Sequence, residues 1–484
     1  MFRMKLSTVL CLLVLAAPAV HAAAFIPTTL ADSADGECDN HCSLREAIQA
    51  ANASEGPDFI LLSTGTYTLS VEGAGEDQAA TGDLDIRGDV IIVGRDAINT
   101  VIDGLNLDRV FDVQAGSKLE LVGVTVRNGK TLSGPGGGIQ VLGELALTRG
   151  VVTGSFAQSD AGGGIYGGPN SQVTLIQSTV WGNRATNGAG LYIAGTVEMV
   201  NSTLSGNIAS GQGGGLYATS HSEGEISNST ITGNSAVQGG GVYVVSDPFI
   251  SVTHPDISNT IIAGNGSGVE ADCSGYAHSA GHNLLGIGSA GPGTGCPDFA
   301  VSKGDIIGTA AAPINPALGA LAAVGGTTPV HVPAGTSPAL NHGAACESVD
   351  QRGAARSATC DIGSVELSNL CLNGGTTLCL QDGRFKVEVD WTTKTGSGHG
   401  NAVPLTDQSG YFWFFDASNV EITIKVINAC TLNNRYWIFF SGLTNVGVKL
   451  TVTDLKTGQV KVYNNPINKT IATVLDTDAL ATCP

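Results

Sequence analysis

The stretch GGGLYATSHSEGEISNSTITGNSAVQGGGVYV, residues 213–244, contains the phrase Gly-Gly-Gly-aliphatic-Tyr twice. Close variants of this phrase place their third glycine at positions 138, 164, 190, 215 and 241. The steps of 26, 26, 25 and 26 residues form a fixed period. A period of this size is typical of a solenoid, in which each repeat forms one turn and packs only on its neighbours.

The residues between the glycines predict strands and turns rather than helices. Runs such as 173–176 and 229–232 are short, contain β-branched residues and have no helical period. We therefore expect an all-β parallel β-helix, whose turns pair about 4.8 Å apart so that equivalent positions stack in columns. One inward aliphatic column is predicted at Ile139, Ile165, Leu191, Leu216 and Val242, and one outward column at Tyr166, Tyr192, Tyr217 and Tyr243.

A Gly-Asn pair also recurs once per turn, at Asn183, Asn207, Asn234 and Asn265. We expect these asparagines to adopt left-handed backbone angles while their amides bond neighbouring turns. The Asn-Ser-Thr triplets at Asn201 and Asn228 are interpreted as turn chemistry rather than as glycan acceptors.

Composition places the chain outside the cell. Arg3 and Lys5 precede an apolar run and small residues near Ala22, the pattern of a cleaved signal peptide at residues 1–22, and no later segment has the apolar length of a membrane span. A net charge of -19 with 23 Lys and Arg argues against nucleic acid as a partner. The 67 glycines fit a turn-rich, secreted β protein.

Ten cysteines follow the leader, and an exported chain is where disulfides persist. Their spacing predicts three close pairs, Cys38 with Cys42, Cys273 with Cys296 and Cys346 with Cys360. The last four, Cys371, Cys379, Cys430 and Cys483, allow three pairings. Their spacing does not fit zinc knuckles.

The segment CSLREAIQAAN, residues 42–52, predicts an amphipathic helix. Ser43 is the expected N-cap with Glu46 at the third helical position, and Leu44, Ala47 and Ile48 share one side. Such a helix can plug the apolar end of a solenoid. The segment resembles the signature of the CSLREA domain of bacterial secreted β-helix proteins, and we assign residues 23–57 to an N-terminal cap.

Further matches follow the repeats, at NPALGAL (315–321), GGTTPVH (325–331), SPAL (337–340), DQRG (350–353) and CDIGSVE (360–366). They resemble the C-terminal part of β-helix proteins with a choice-of-anchor Q domain, and the repeats themselves are similar to those of chlamydial polymorphic outer-membrane proteins. The resemblance implies a right-handed parallel β-helix with its closing region over residues 58–368, export, and extracellular or surface residence. It implies no established reaction.

Residues 369–484 differ in composition, with three of the four tryptophans and only 10 of the 67 glycines. Alternation at 421–426 and 448–453 predicts antiparallel strands and hence a β-sandwich. The aromatic run from Tyr411 to Phe415 is interpreted as core packing rather than as a sugar-stacking platform.

Candidate chemistry is sparse. Asp83 and Asp85 point to one side of a predicted strand and are the only catalytic candidates, although a strand edge or turn cap explains them more simply. The acidic residues of the repeats, Glu198 and Glu225 among them, are not expected to share a stacked column. Calcium is the only metal hypothesis, and no other cofactor is expected; the candidate ligands are Asp32, Asp35, Glu37 and Asp39, which lack the full calcium-loop pattern.

Together these features predict a secreted or cell-surface protein that mediates adhesion or binds glycans or a surface protein, with the tyrosine column as the ligand-binding set. The alternative is a polysaccharide lyase or glycoside hydrolase on a β-helix scaffold. The absence of a carboxylate cluster in the repeats argues against that alternative.

Overall fold

The computed structural model describes residues 22–245, 254–266, 270–288, 295–367, 371, 375–381 and 383–483. Residues 1–21, which hold nearly all of the predicted signal peptide, lie outside the described residues. The first part of the protein is the predicted right-handed parallel β-helix, and antiparallel sheets follow it.

The β-helix has four parallel sheets, which we number in the order in which a turn of chain passes through them. Sheet 1 contains Leu84–Ile86, Phe111–Val113, Ile139–Val141, Ile165–Gly167, Leu191–Ile193, Leu216–Ala218, Val242–Val244 and Cys273–Gly275. Sheet 2 contains Ala24–Phe25, Pro57–Leu61, Asp89–Val93, Lys118–Val122, Glu144–Thr148, Gln172–Ile176, Thr196–Val200, Glu223–Ser227, Asp256–Ser258 and His278–Gly281. Sheet 3 contains Gly65–Thr68, Thr100–Asp103, Thr125–Arg127, Val151–Thr153, Thr179–Trp181, Thr203–Ser205, Thr230–Thr232, Ile261–Ile262, Leu284–Leu285 and Ile306–Ile307. Sheet 4 contains Lys130–Thr131, Phe156–Ala157, Arg184–Ala185 and Ile208–Ala209.

The two columns predicted for sheet 1 are confirmed. Ile165 pairs in register with Leu191, and Tyr166 pairs with Tyr192; the same register continues through the next two turns. The aliphatic residues are buried in the core, whereas the tyrosines lie partly exposed on the opposite face. The glycines that precede these strands allow the turns to approach, since a Cβ at Gly190 would lie 2.5 Å from a backbone oxygen of the next turn.

The predicted asparagine ladder is present inside the coil. The Asn183 amide donates to Asn207 Oδ1 at 3.0 Å, Asn207 donates to Asn234 at 2.9 Å, and Asn234 donates to Asn265 at 3.0 Å. The expected left-handed backbone of these asparagines is wrong. The glycine before each asparagine has the positive φ instead, as at Gly206 (φ 62°), because glycine adopts these angles without a Cβ penalty.

The Asn-Ser-Thr asparagines lie at the corner between sheets 2 and 3. Asn201 and Asn228 have φ of 48° and 47° and are 3% and 2% exposed. Their predicted turn role is confirmed, since both adopt the left-handed angles that asparagine tolerates.

The N-terminal helix spans Leu44–Ala53 and packs on the first turns. Ser43 caps it, and the reciprocal bonds with Glu46 form the predicted capping box. Its apolar side is buried, and Arg45 is also buried, in an ion pair with Asp32 at 2.8 Å.

Residues 308–367, which we call the closing segment, run back along the outer face of sheet 3. The Gln351 amide donates to Thr179 Oγ1 at 2.9 Å and accepts from Thr203 at 2.6 Å, while Ser364 bonds Thr230 Oγ1 at 3.1 Å. The DQRG and CDIGSVE motifs therefore clamp this segment onto the coil, and they cover sheet 3 from solvent.

All ten cysteines form disulfides. The three predicted close pairs are present. Of the three pairings open to the last four cysteines, the structure forms Cys371–Cys379 and Cys430–Cys483.

The C-terminal region consists of two antiparallel sheets, as alternation predicted. Sheet 5 contains Thr377–Leu380, Phe385–Thr392, Ser397–His399, Gly447–Asp454 and Val460–Asn465. Sheet 6 contains Asn401–Thr406, Ser409–Trp413, Ile422–Ala429, Arg435–Gly442 and Val474–Leu480. A four-residue helix, Cys430–Asn433, joins two strands of sheet 6. The inner faces of both sheets share one apolar core.

The aromatic run in sheet 6 has two roles, so its interpretation as core alone is wrong. Phe412 and Phe414 are buried in the core at 0% and 5% exposure. Tyr411 and Trp413 point to the outer face of the sheet, because successive strand residues alternate sides, and Phe415 is 56% exposed.

The asparagine ladder predicts a measurable stability contribution. Replacing Asn207 with Ala would leave buried partners on both neighbouring turns without bonds, at a cost of about 1–3 kcal/mol in the free energy of unfolding. Chemical denaturation of the purified protein measures this cost. Gln172→Ala, at an exposed position of sheet 2, is the matched control and should change stability little; an equal effect of both variants would contradict the ladder's role.

Candidate ligand-binding face

Two long faces of the β-helix remain open once the closing segment covers sheet 3: the outer faces of sheets 1 and 2. The outward column of sheet 1 runs through every strand of that sheet in register. It consists of Asp85, Asp112, Gln140, Tyr166, Tyr192, Tyr217, Tyr243 and Ser274. Carboxylates thus lie at the N-terminal end of the same row that contains the tyrosines.

The four tyrosine rings stack on one another. Their centroids are 5.2, 4.7 and 5.2 Å apart, with interplanar angles of 17°, 7° and 23°. Because neighbouring rings cover one another, the inner ring faces are not open to a sugar, contrary to the expectation that the column binds by face stacking. The surface that the column offers is a row of ring edges and hydroxyl groups.

The tyrosine hydroxyls remain protonated at neutral pH. Burial raises the pKa of Tyr192 to about 12, and the neighbouring Tyr217 and Asp160 raise it further. Burial also raises the pKa of Tyr166 and Tyr217. Each hydroxyl can therefore donate one hydrogen bond and accept others.

An acidic cluster, Asp83, Asp85 and Asp112, lies at the N-terminal end of the column. One carboxylate oxygen from each lies within 4.8 Å of the other two, and the three residues are 4%, 0% and 6% exposed. Arg109 bonds Asp112 at 2.8 Å and lies 3.5 Å from Asp83. The Gln140 amide also donates to Asp112, at 3.0 Å.

The chain between residues 70 and 82 covers this cluster. The Ala79 amide donates to Asp85 at 2.7 Å, and the Arg45 guanidinium donates to the carbonyls of Ala79 and Gly82. The capping helix thus holds the covering chain in place through Arg45. The buried carboxylates are not the outward strand edge that the sequence favoured.

Burial governs the protonation of the cluster. Loss of solvation raises the pKa of Asp83 to about 8, with Arg109 opposing the rise, and raises the pKa of Asp85 to about 6. Burial also raises the pKa of Asp108 and Asp112. Carboxyl groups with pKa values this far apart can hold and release a proton near neutral pH.

Sequence reasoning named Asp83 and Asp85 but missed Asp112, Asp108 and Arg109. The tripeptide Phe111-Asp112-Val113 lies one turn after Leu84-Asp85-Ile86, in register with it. Extending the repeat period toward the N-terminus would have found this pair, because an aliphatic residue flanks each aspartate as it does each tyrosine.

The calcium candidates near the N-terminus are not brought together. Asp32 pairs with Arg45 and accepts the Ser70 and Val71 amides, so its carboxylate serves the cap. Asp35 and Asp39 accept backbone amides two residues ahead. Within the described ranges, the one group of three or more potential ligands within 4.8 Å is the acidic cluster, which does not include Glu37.

Sheet 2 corrects a second expectation. Glu198, Glu225 and Asp256 do share one outward column, in register on three successive strands, and His278 follows Asp256. The repeat lengthens after Glu225, so counting by a constant period missed the alignment. This face carries stacked like charges rather than a polar binding row.

Comparison with known proteins supports the fold. A family model described as right handed beta helix region matches residues 98–254. No curated protein and no solved structure matches the chain. Among the described residues, no helix has the length and apolar character needed to cross a membrane.

The acidic cluster predicts a pH-dependent stability. The folded-state pKa values of Asp83 and Asp85 lie above the ordinary value of 3.8, so folding favours the protonated forms. Their contribution is complete below about pH 4 and is lost as the pH rises through about 6 and about 8. Asp83→Asn should therefore flatten the fall in melting temperature between pH 5 and pH 9. Glu144→Gln, on the exposed side of sheet 2, is the control; a wild-type slope in Asp83→Asn would contradict the assignment.

Proposed function

We propose that this protein is a secreted or cell-surface β-helix protein that binds a neutral polysaccharide along sheet 1 and so mediates adhesion. The observation that carries the proposal is the row of four tyrosine hydroxyls on adjacent turns. A straight row of donors and acceptors suits an extended chain of sugar hydroxyls. A ligand lying along it would contact several turns at once, which suits weak contacts that act together.

The charge distribution favours a neutral ligand at this face. Residues 369–484 contain nine Lys and Arg and nine Asp and Glu, so the whole net charge of -19 belongs to residues 1–368. Asp112 lies in the tyrosine column, and Asp160 acts on Tyr166 and Tyr192. Acidic groups near the row would repel an anionic polysaccharide.

Extracellular residence is supported by two features. Five disulfides are stable in an oxidising compartment. The sequence of the first 22 residues has the pattern of a signal peptide.

Removing the hydroxyls tests the binding row without disturbing the ring stack. The double variant Tyr192→Phe, Tyr217→Phe keeps both rings but loses two hydrogen-bonding groups, each worth about 1 kcal/mol, or roughly fivefold in affinity. Affinity electrophoresis through glucan, xylan and galactomannan measures retention. Tyr276→Phe changes an exposed tyrosine outside the column and is the matched control. Undiminished retention of the double variant would assign the column a structural role only.

A glycoside hydrolase is the second candidate, and the acidic cluster is what favours it. A carboxyl with a pKa of about 8 can serve as a general acid while a neighbouring carboxylate serves as the base. The burial of Asp83 and Asp85 argues against it, because a scissile bond must reach both groups.

The two candidates differ in one assay. The mature protein is incubated for a day with acidic and neutral polysaccharides, with calcium and with a chelator, and reducing ends and unsaturated products are followed. We expect no product, and unchanged glycan retention in Asp83→Asn and Asp85→Asn. Product formation that both variants abolish would replace binding by catalysis.

A further inference from the structure

The outer face of sheet 6 carries a row of aromatic residues with a lysine at its centre. Tyr411 and Trp413 project from one strand, and Trp437 and Phe439 project from another. The strand between them presents Lys425, which pairs with Ser409 on one side and Phe439 on the other. The two aromatic rows are separated by two strand spacings, about 10 Å.

A groove of about 300 Å³ lies on this face. Phe439 and Leu405 form its apolar part, and Leu405 is 64% exposed. Hydroxyl groups line its rim: Ser409 bonds Thr406 at 2.7 Å, and Ser441 bonds Thr473 at 3.2 Å. The Trp437 ring lies 5.9 Å from the Phe439 ring, centroid to centroid, and its Nε1 donates to Asn433 at 2.9 Å.

Lys425 is exposed, and it forms no ion pair with any residue that the structure describes. Other cations of this region are engaged, since Arg384 pairs with Asp454 and Arg435 with Asp478. The region as a whole has no net charge, in contrast to the acidic β-helix. An anionic ligand is therefore admitted at Lys425, although residues 1–368 repel it.

We propose that the outer face of sheet 6 binds an anionic polysaccharide, with its sugar rings on the aromatic residues and one carboxylate on Lys425. Aromatic rings offer flat apolar surface to sugar rings, the rim hydroxyls bond sugar hydroxyls, and the single cation selects for negative charge. One lysine does not suit nucleic acid, which requires clustered cations. A two-fold contact with a second copy, centred on the groove, would place Lys425 against itself. This site is separate from the tyrosine column and has the opposite charge preference.

Affinity electrophoresis of the mature protein tests this site with two probes of the same backbone, polygalacturonate and its highly methyl-esterified form. We expect retention by polygalacturonate only. Lys425→Gln and Trp437→Ala should each weaken retention by on the order of tenfold. Lys449→Gln, on an exposed lysine of sheet 5, is the charge-matched control and should behave as wild type. Lys425→Gln replaces an exposed side chain, so its folding is secure even if Trp437→Ala fails to fold.

Three outcomes would overturn the proposal. They are equal retention by the two probes, retention of Lys425→Gln at the wild-type level, and self-association or binding to phosphatidylserine vesicles that Trp437→Ala abolishes while polygalacturonate is not bound. The tyrosine double variant should retain polygalacturonate binding in full. A failure at one site therefore leaves the other testable.

Discussion

The in-register pairing of each turn with the next is the constraint on which the rest of this structure depends. Backbone hydrogen bonds between successive turns place equivalent residues about 4.8 Å apart, so every side chain meets its own counterpart. Residues that gain from this repetition form columns. The asparagine amides chain together, and the Ser178 and Ser202 amides each bond the hydroxyl one turn ahead, Ser202 Oγ at 3.0 Å and Ser229 Oγ at 3.1 Å. Tyrosine does so by ring stacking.

The same constraint makes charges costly, because a repeated carboxylate would also meet its counterpart. The outward column of sheet 1 begins with Asp85 and Asp112 and changes to neutral Gln140 and tyrosine in the next turns. Where the carboxylates do stack, the covering chain buries them and a raised pKa allows them to be neutral. The capping helix contributes to this arrangement, because Arg45 fixes the covering chain. The N-terminal cap therefore affects the chemistry of the acidic cluster as well as closing the core.

Local patterns predicted what depends on local patterns. The repeat period was sufficient for the sheet 1 columns, the spacing of Ser43 and Glu46 for the capping box, and short separations for three disulfides. The burial of Asp83 was not predictable, because it results from chain 70–82 folding over a strand. The closing segment was recognisable as motifs, but its contact with sheet 3 joins residues about 150 apart in sequence, such as Gln351 and Thr203. The left-handed glycine was assigned one residue too late, since both glycine and asparagine tolerate that backbone.

The central claim is that sheet 1 is the ligand-bearing face of the β-helix and presents hydroxyl edges rather than ring faces. A crystal structure of the mature protein with a neutral hexasaccharide, taken from the polysaccharide that retains it best, tests this claim directly. The account predicts an extended sugar chain along Tyr166 to Tyr243, with sugar hydroxyls within hydrogen-bond distance of the phenolic oxygens and the ring stack unchanged. Sugar density only on sheet 2 or on the C-terminal sheets, or rings that separate to admit a sugar between them, would contradict it.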